Sequence, residues 1–369
     1  MAGLNLKIKK AGMNSTRPFP FDVNCIRHWG RTFIANTHRL RRLVQFAFAG
    51  VTVLIGVQFY LFVHQLETGA ENPVSRPPGV EAFLPISSLM SLKYWLLSGD
   101  FNRIHPSGLL IFIFILITAL LLKRGFCSWV CPFGLLSEVL ARVHAWLFGR
   151  PRQIWRWLDY PLRSVKYLLL LFFLWAVLVQ MDAAALEAFI YGPYNRVADI
   201  KMLKFFTEAS ALTVKVVIGL LLLSILFRFF WCRYLCPYGA LLGLLSWLSP
   251  FKIRRNTESC IDCEKCTRAC PAFIKVHRPR TVSSDECHAC LQCVVACPVE
   301  NTLQFQTRKR LVLRPALYAA LILALFLFGS IAARFGGVWR NSIDVTEYRY
   351  HIRHLDDPEY YHNRGIQNE

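Results

Sequence analysis

The chain has 369 residues, of which 54% are hydrophobic, 14% aromatic and only 18% charged. This composition excludes an intrinsically disordered chain, and a mean hydropathy of +0.36 is too apolar for an ordinary soluble protein. The net charge of +20 would suggest a nucleic-acid partner in a soluble protein, but in a membrane protein it is equally typical of cytoplasmic loops.

Five apolar stretches are predicted to be transmembrane helices: residues 43–63, 106–122, 167–186, 211–230 and 315–333. Each is close to the roughly 20 residues that a helix needs to cross about 30 Å of hydrocarbon. The fourth stretch contains Lys215. Its many Leu, Ile, Val and Phe residues outweigh one charge, and Lys215 lies near one end, where it can snorkel to the interface.

Lys and Arg collect in alternate connecting segments. Residues 1–42, 123–166 and 228–314 hold 9, 8 and 14 of them, whereas residues 64–105 and 182–210 hold 3 each. The positive-inside rule then places the three basic segments in the cytoplasm and the tail from residue 334 in the periplasm, in a bacterial inner membrane. No A-x-A cleavage site follows the polar leader and first span, which predicts an uncleaved signal anchor. No nucleic-acid-binding motif interrupts the basic runs, so we expect contacts with membrane lipid and no nucleic-acid partner.

Eight of the 13 cysteines lie between the fourth and fifth spans, in the runs CIDCEKCTRACP and CHACLQCVVACP. Each run has the spacing C-x2-C-x2-C-x3-C-P, which is typical of bacterial ferredoxins with two [4Fe-4S] clusters. In such proteins the fourth cysteine of each run ligates the cluster of the other run. We therefore predict one cluster on Cys260, Cys263, Cys266 and Cys297, and a second on Cys287, Cys290, Cys293 and Cys270.

Zinc and disulfides are the competing interpretations of these eight cysteines. Structural zinc sites pair two C-x2-C knuckles across a longer spacer, and disulfides are unusual on the cytoplasmic side of a membrane. The doubled pattern therefore favours iron–sulfur clusters. Basic residues around it are interpreted either as a docking surface for an acidic partner or as a solvated face: Lys265, Arg268, Lys275, Arg278 and Arg280.

Two further cysteine pairs follow the second and fourth spans directly, in GFCSWVCPFGLL and FWCRYLCPYGALL. Both have an aromatic residue, the motif C-x3-C-P, another aromatic residue and a glycine before an apolar run, and they lie 105 residues apart. This predicts an internal repeat of two spans and one cysteine pair, related by a pseudo-axis along the membrane normal.

The spacing places both thiols of a pair on one face if the helix continues through them. Pro132 and Pro237 then break the helix and begin new helices along the membrane surface, where Gly134 and Gly239 allow close approach. Convergence of all four thiols would suit a further metal centre, two separate pairs would suit redox dithiols, and buried cysteines that merely fix a helix break are the structural alternative. The four residues are Cys127, Cys131, Cys232 and Cys236.

Several other polar residues are weaker candidates. His64 and His105 have the chemistry of a haem ligand or a quinol-proton acceptor, and Asp182 and Glu187 that of a proton path, but all four are also typical of ordinary interfacial residues. Cys25 has no cysteine neighbour and is predicted to be a free thiol. C-x-x-C-H and phosphate-binding glycine motifs do not occur in the sequence, so neither c-type haem nor a dinucleotide site is expected. The tail histidines follow no fixed metal spacing: His351, His354 and His362.

Together these motifs resemble the NapH-type membrane polyferredoxins, quinol-dehydrogenase-type subunits of periplasmic nitrate reductase systems, and more closely the YccM-like electron-transport proteins. The resemblance rests on FCSWVCPFG, on the second pair with the following FKIRRNTESCIDCEKC, on the second four-cysteine run and on RPPGVEAFLPISSLMSLKYWLLSG in the first outer loop. It covers most of residues 40–330. It implies cytoplasmic [4Fe-4S] clusters carried between membrane helices and a role in moving electrons to or from a quinone pool.

We therefore predict a mainly α-helical membrane protein with about five transmembrane helices and an inserted dicluster ferredoxin-like domain of α+β type. The predicted segments are a basic leader (1–42), a four-helix membrane region built as an internal repeat (43–250), the ferredoxin domain (251–310), a fifth transmembrane helix (311–333) and an extracytoplasmic tail (334–369).

The predicted function is electron transfer between a quinone pool or a membrane redox partner and the cytoplasmic clusters. No residue has the features of a catalytic acid or base, so we expect an electron-transfer component and not a stand-alone catalyst. Two alternatives stay open. One is a copper-ion reductase or maturation factor, in which the thiol pairs bind and reduce the metal; the other is a redox-sensing regulatory or anchoring protein.

Overall fold

The computed structural model describes residues 23–149 and 154–360. Predictions for the first 22 residues, for His362 and for the Cys25 side chain lie outside this description. The helices are α1 (Val23–Glu67), α2 (Pro85–Ser98), α3 (Pro106–Leu122), α4 (Gly125–Trp129), α5 (Pro132–Phe148), α6 (Arg156–Trp175), α7 (Ala183–Ile190), α8 (Pro193–Arg196), α9 (Ala198–Thr207), α10 (Ala211–Leu226), α11 (Pro237–Leu245), α12 (Lys265–Arg268), α13 (Gln292–Val295), α14 (Pro315–Phe335) and α15 (Val345–Arg353). Short 3₁₀ or π segments cover Pro78–Phe83, Ala176–Gln180, Trp231–Leu235 and Pro358–Tyr360.

Three helices in the described part of the chain are long and apolar enough to cross a membrane: Thr37–Glu67 within α1, Trp157–Gln180 and α14. The bent pair α9 and α10, with 79° between its helices, makes a fourth if it is one span. At most 22% of the most apolar stretch of the three long helices is buried. Side chains such as Leu54, Leu168 and Phe328 therefore face outward, as expected for contact with lipid.

The helix α3 is apolar on every side, and it lies at the centre of the bundle. Nine of its 17 residues are buried, and it packs against α2, α11, α14 and the Pro78–Phe83 segment. Its bounds match the predicted second span at both ends. The helices α3 and α10 have 17 and 16 residues and are shorter than the other helices that correspond to predicted spans.

Other predicted boundaries are wrong. The third span, expected at residues 167–186, begins at Arg156 and ends at Gln180. It stops there because Asp182 starts a new helix, its carboxylate accepting a hydrogen bond from the Ala185 amide (2.8 Å) at the N-terminus of α7. The fourth span ends at Leu226 instead of residue 230. At the other end of the chain, α1 starts at Val23, so the second half of the predicted leader is helical.

The segment between α11 and α14 forms a small α+β domain, as predicted. Its antiparallel sheet has the strand order β2 (Thr281–Val282), β1 (Lys252–Arg255), β3 (Leu303–Gln306). Ile253 in the central strand pairs with Val282 on one side and Phe305 on the other, and all three side chains are buried. The four-cysteine runs carry one short helix each, α12 and α13.

The bundle has two differently built ends. At one end the ferredoxin-like domain shares a core with Val44 of α1, Trp129 of α4 and Tyr318 of α14. At the other end Phe62 of α1 packs with the connecting segments of residues 64–105 and 182–210 and with the tail helix α15, through residues such as Tyr348. The basic and the poorly charged segments are therefore separated in space as the charge pattern predicts. Which end faces the cytoplasm stays a prediction.

Candidate metal centres

Each predicted set of four cysteines lines its own small cavity. One cavity is lined by Cys260, Cys263, Cys266 and Cys297. The other is lined by Cys270, Cys287, Cys290 and Cys293. All eight are free thiols. The fourth cysteine of each run thus crosses to the cavity of the other run, in the partition that the spacing predicts.

The two runs share an unusual backbone. Asp262 and Glu264 in the first run have φ of 48° and 56°, and Ala289 and Leu291 in the second have φ of 47° and 59°. These residues occupy equivalent positions, two and four residues after the first cysteine of each run. The left-handed region costs a non-glycine residue about 1–3 kcal/mol and is found mostly at functional sites. The repeated backbone strain indicates that both runs turn tightly around the same kind of group.

The cysteine geometry suits a cluster better than a single ion. No three His, Cys, Asp or Glu side chains among the described residues converge closely enough to hold one metal ion. Zinc and copper sites need such convergence because all their ligands bind the same atom. In a [4Fe-4S] cluster each thiolate binds a different iron, so the four sulfurs stay apart around the cubane.

The two sets of thiols have different electrostatic surroundings. The Arg255 guanidinium donates to the Cys260 sulfur (3.2 Å) and to the Asp262 carboxylate (3.0 Å), which favours ionised sulfur at Cys260. In the second set, burial raises the pKa of Cys290 to about 12. Sequence reasoning missed Arg255, although it lies only five residues before Cys260.

Side chains at the ends of the membrane helices hold the loop that leads into the second cysteine run. Lys123 donates to the Ser284 carbonyl oxygen (2.9 Å), and Arg124 donates to the Asp285 carbonyl oxygen (2.7 Å). From α6, Lys166 pairs with Glu286 and the Tyr167 hydroxyl donates to the Asp285 carboxylate. The basic residues that predict the topology thus also make structural contacts. These contacts attach the second cysteine run to the membrane helices.

The first C-x3-C-P pair does not lie on a continuous helix, so the condition under which its two thiols would share one helix face is not met. After α3 the chain breaks at Lys123, which has a φ of 59°. Cys127 then lies in the short helix α4, and Cys131 precedes α5 in extended conformation. Pro132 is the first residue of α5, as predicted, and α5 packs against α1 and α10.

The second pair repeats this arrangement. Phe229, with a φ of 61°, breaks the chain after α10, and Cys232 lies in the π segment Trp231–Leu235. Cys236 is extended, and Pro237 begins α11, which packs against α3 and α6. The two segments that share a sequence motif therefore also share a backbone conformation, in which the helix breaks before the cysteine pair.

All four thiols of the two pairs line one cavity of about 630 Å³. The loops around them are tight. A Cβ on Gly134 would lie 2.0 Å from the Cys127 carbonyl oxygen, and one on Gly239 would lie 3.0 Å from the Arg124 guanidinium. Both glycines therefore allow close approach, as predicted. The cavity also reaches His288, in the second four-cysteine run.

The weaker candidates have ordinary structural partners and line none of the three cysteine cavities. His64 and Glu187 are exposed, and the His64 ring stacks on Tyr60. In the tail, His351 Nδ1 lies 2.6 Å from the Tyr360 hydroxyl oxygen, and His354 Nδ1 lies 2.8 Å from its own helix, at the Tyr350 carbonyl oxygen. Lys215 is exposed near the start of α10, as expected for a snorkelling side chain.

A buried charge network at the opposite end of the bundle was not predicted. Arg76 donates to Glu81 (2.8 Å) and Asp199 (2.6 Å), and both carboxylates are fully buried. Ser107 donates to Glu81 (2.5 Å), and His105 Nδ1 lies 3.6 Å from the same carboxylate. Arg76 and Asp199 are 123 residues apart in sequence, so no local motif indicates the pair.

Comparison with known proteins identifies the family. Residues 104–151 and 212–256 both match the family described as a 4Fe-4S binding domain, and residues 252–298 match a 4Fe-4S dicluster domain. The provisionally named electron transport protein YccM of Escherichia coli (strain K12) is 42% identical over 321 residues, which are 85% of this chain and 90% of that protein. The chain belongs to the YccM-like family.

More distant relatives are similar to about half of this chain. The ferredoxin-type protein NapH of Escherichia coli is 27% identical over 201 residues, covering 50% of this chain and 63% of NapH. The regulatory protein NosR of Pseudomonas aeruginosa is 29% identical over 215 residues, covering 57% of this chain and 29% of NosR. No solved structure is a match. The chain is thus an iron–sulfur electron transport protein, as the cysteine spacing predicts.

Proposed function

We propose that this YccM-like protein passes electrons between the membrane and two [4Fe-4S] clusters in a cytoplasmic domain. The observation that carries the proposal is the partition of eight thiols into two sets of four around separate cavities. One cluster is held by Cys260, Cys263, Cys266 and Cys297. The other is held by Cys270, Cys287, Cys290 and Cys293. The clusters supply one-electron chemistry, and the protein supplies ligands, insulation and docking.

Proximity of the two sites supports electron transfer between the clusters. The short helix α12, which carries Cys266 of one set, packs against α13, which carries Cys293 of the other. One cluster is oxidised by one electron as the other is reduced, so the step needs no acid or base. The exposed basic residues Lys265 and Arg268 on the first run offer a docking surface to an acidic soluble partner.

Quinone is the proposed redox partner inside the membrane. A largely apolar groove of about 840 Å³ runs between α1, α3 and α14 and reaches Phe126 and Val130, which directly precede Cys127 and Cys131. Apolar clefts of this size are typical of small-molecule sites. The outward-facing apolar helices support placement in the inner membrane, and the basic segments support a cytoplasmic position for the ferredoxin domain.

The test uses full-length protein, prepared anaerobically in lipid nanodiscs and equilibrated with a soluble menaquinol analogue. Low-temperature EPR should detect two reduced clusters. Cys290→Ala should remove one of them, and Cys297→Ala should remove the other, although both residues lie in the second run. Cys25→Ala, which removes a cysteine outside every motif, should change neither. Zinc in place of iron, or clusters that dithionite reduces but quinol does not, would contradict the proposal.

A further inference from the structure

We propose that the two C-x3-C-P pairs together hold a third [4Fe-4S] cluster, shared between the two repeats. The ligands are Cys127, Cys131, Cys232 and Cys236. This inference rests on the proposed function, because the third cluster extends the same electron path toward the membrane.

The number of cysteines requires sharing. Residues 104–151 and 212–256 each match a 4Fe-4S binding domain, yet each segment contains only two cysteines. A cubane held by thiolates needs four, one for each iron. Neither repeat supplies a full set alone, but the four thiols of the two pairs line one cavity.

Each repeat also builds the surroundings of the other repeat's thiols. The Cys232 sulfur of the second repeat lies 3.3 Å from the Ser137 hydroxyl of α5, in the first repeat. Reciprocally, Arg124 of the first repeat approaches Gly239 so closely that a Cβ there would lie 3.0 Å from the guanidinium. Gly239 is only three residues from Cys236. The two pairs therefore form one interlocked site and not two separate ones.

Donors around the sulfurs match the needs of a negatively charged cluster. The Gly239 amide of the second repeat donates to the Cys236 sulfur (3.2 Å). Arg124 is buried beside the thiols of Cys127 and Cys236. Backbone amides directed at sulfur and a buried cation both stabilise the charge of thiolate-bound iron–sulfur clusters.

The structure disfavours the two other roles considered for these thiols. A single copper or zinc ion needs ligands that converge on one point, and the described residues contain no group of three that does so. Separate redox dithiols would need only one pair each, whereas the thiols of both pairs line one cavity. A cluster on the four thiols exchanges one electron, losing it when the neighbouring cluster gains it.

Direct contacts join this site to the second ferredoxin cluster. Ser128 and Trp129 lie between Cys127 and Cys131 in sequence. The Ser128 hydroxyl donates to the His288 carbonyl oxygen (2.5 Å), and the Trp129 indole donates to the Ala289 carbonyl oxygen (3.1 Å). Both acceptors lie between Cys287 and Cys290. The loops that hold the two clusters are thus hydrogen-bonded to each other.

The test counts iron and acid-labile sulfide in full-length protein purified anaerobically in detergent, with Mössbauer spectra of ⁵⁷Fe-labelled samples. Three cubanes give about 12 irons per chain, and two give about 8. We expect about 12 in the wild type and in Cys25→Ala, and about 8 in Cys127→Ala/Cys232→Ala, whose ferredoxin EPR signals should persist.

A wild-type count of about 8, or an excess that survives the double substitution, would overturn the third cluster. The wild-type count and spectra decide the question even if the double variant does not fold. Failure of the proposed function is a separate result. The iron count would then stay unchanged in Cys290→Ala, or quinol would reduce none of the clusters.

Discussion

Replacing Arg76 with Met is expected to destabilise the protein without removing its clusters. The Arg76 side chain is 7% exposed and is the counter-charge for Glu81 and Asp199, which are both fully buried. Methionine fills a similar volume but carries no charge. The variant therefore leaves two buried carboxylates facing a single uncharged side chain, which is costly.

The pKa of Glu81 gives the magnitude. Burial alone would raise this pKa, but Arg76, assisted by His105 and Ser107, lowers it from 4.5 to about 2. At about 1.4 kcal/mol per pH unit, the shift corresponds to about 3 kcal/mol, in line with about 3–5 kcal/mol for breaking a buried ion pair. Because the folded-state pKa is lowered, this stabilisation is complete above about pH 4.5 and is lost as the pH falls toward 2.

Thermal unfolding at pH 7 in detergent, followed by tryptophan fluorescence, measures the effect. With an unfolding entropy of about 2 cal/mol/K per residue, a loss of about 3 kcal/mol lowers Tm by about 4 °C. The matched control is Arg142→Met, since Arg142 is 49% exposed and lies 3.6 Å from Glu138. Because Glu138 keeps its ion pair with Arg41 (2.6 Å) and Arg142 is half-exposed, the loss should be less than about 1 kcal/mol. Equal Tm shifts in the two variants would refute the argument from burial.

Iron content should be unchanged in Arg76→Met. Gln65 contacts the outer loop at Val74, and Gln45 contacts the first cysteine loop at Ser128. These two positions on α1 are about 30 Å apart at 1.5 Å per residue. Loss of iron in this variant, with the fold retained, would show that the two ends of the bundle are not independent.

Three further substitutions, the first with a matched control, give separate tests. Gly134→Ala places a Cβ 2.0 Å from the Cys127 carbonyl oxygen, so it should lower the free energy of unfolding by about 3 kcal/mol and lower the iron count. The control is Gly50→Ala, which has open space around it. In thermal unfolding it should be neutral or stabilise the protein by up to about 1 kcal/mol. Trp129→Phe removes one hydrogen bond to the second cluster loop and should cost about 1 kcal/mol and alter that cluster's EPR spectrum while its iron is retained. Arg255→Gln removes a cation 3.2 Å from the Cys260 sulfur and should lower the reduction potential of that cluster in a mediated titration; an unchanged potential would contradict the role of Arg255.

The cysteine sites are predictable because the chemistry of a cubane imposes a local spacing on the chain. The runs beginning at Cys260 and Cys287 each carry three cysteines within seven residues, and the fourth cysteine of each run lines the cavity of the other run. Hydropathy likewise predicts α3 and α14, because long apolar runs have few alternatives to a helix in lipid. The partition of the eight thiols between two cavities then follows from the spacing alone.

Features that depend on long-range contacts are not predictable in this way. Hydropathy does not show that Asp182 caps a new helix, because a cap depends on one side chain and not on the average of a window. The Arg76–Asp199 pair joins distant segments and follows no periodicity. Arg124 has the sequence context of a topology signal, and its position beside the thiols is known only from the fold.

Electron flow through the four-thiol site is the central claim, and one comparison tests it most directly. Oxidised wild type and the Cys127→Ala/Cys232→Ala variant, both in nanodiscs, are mixed anaerobically with menaquinol analogue, and the ferredoxin clusters are followed by rapid-freeze EPR. The account predicts that quinol reduces these clusters in the wild type, and that in the variant only dithionite reduces them. Equal reduction by quinol in both proteins would show that electrons reach the ferredoxin domain by another path.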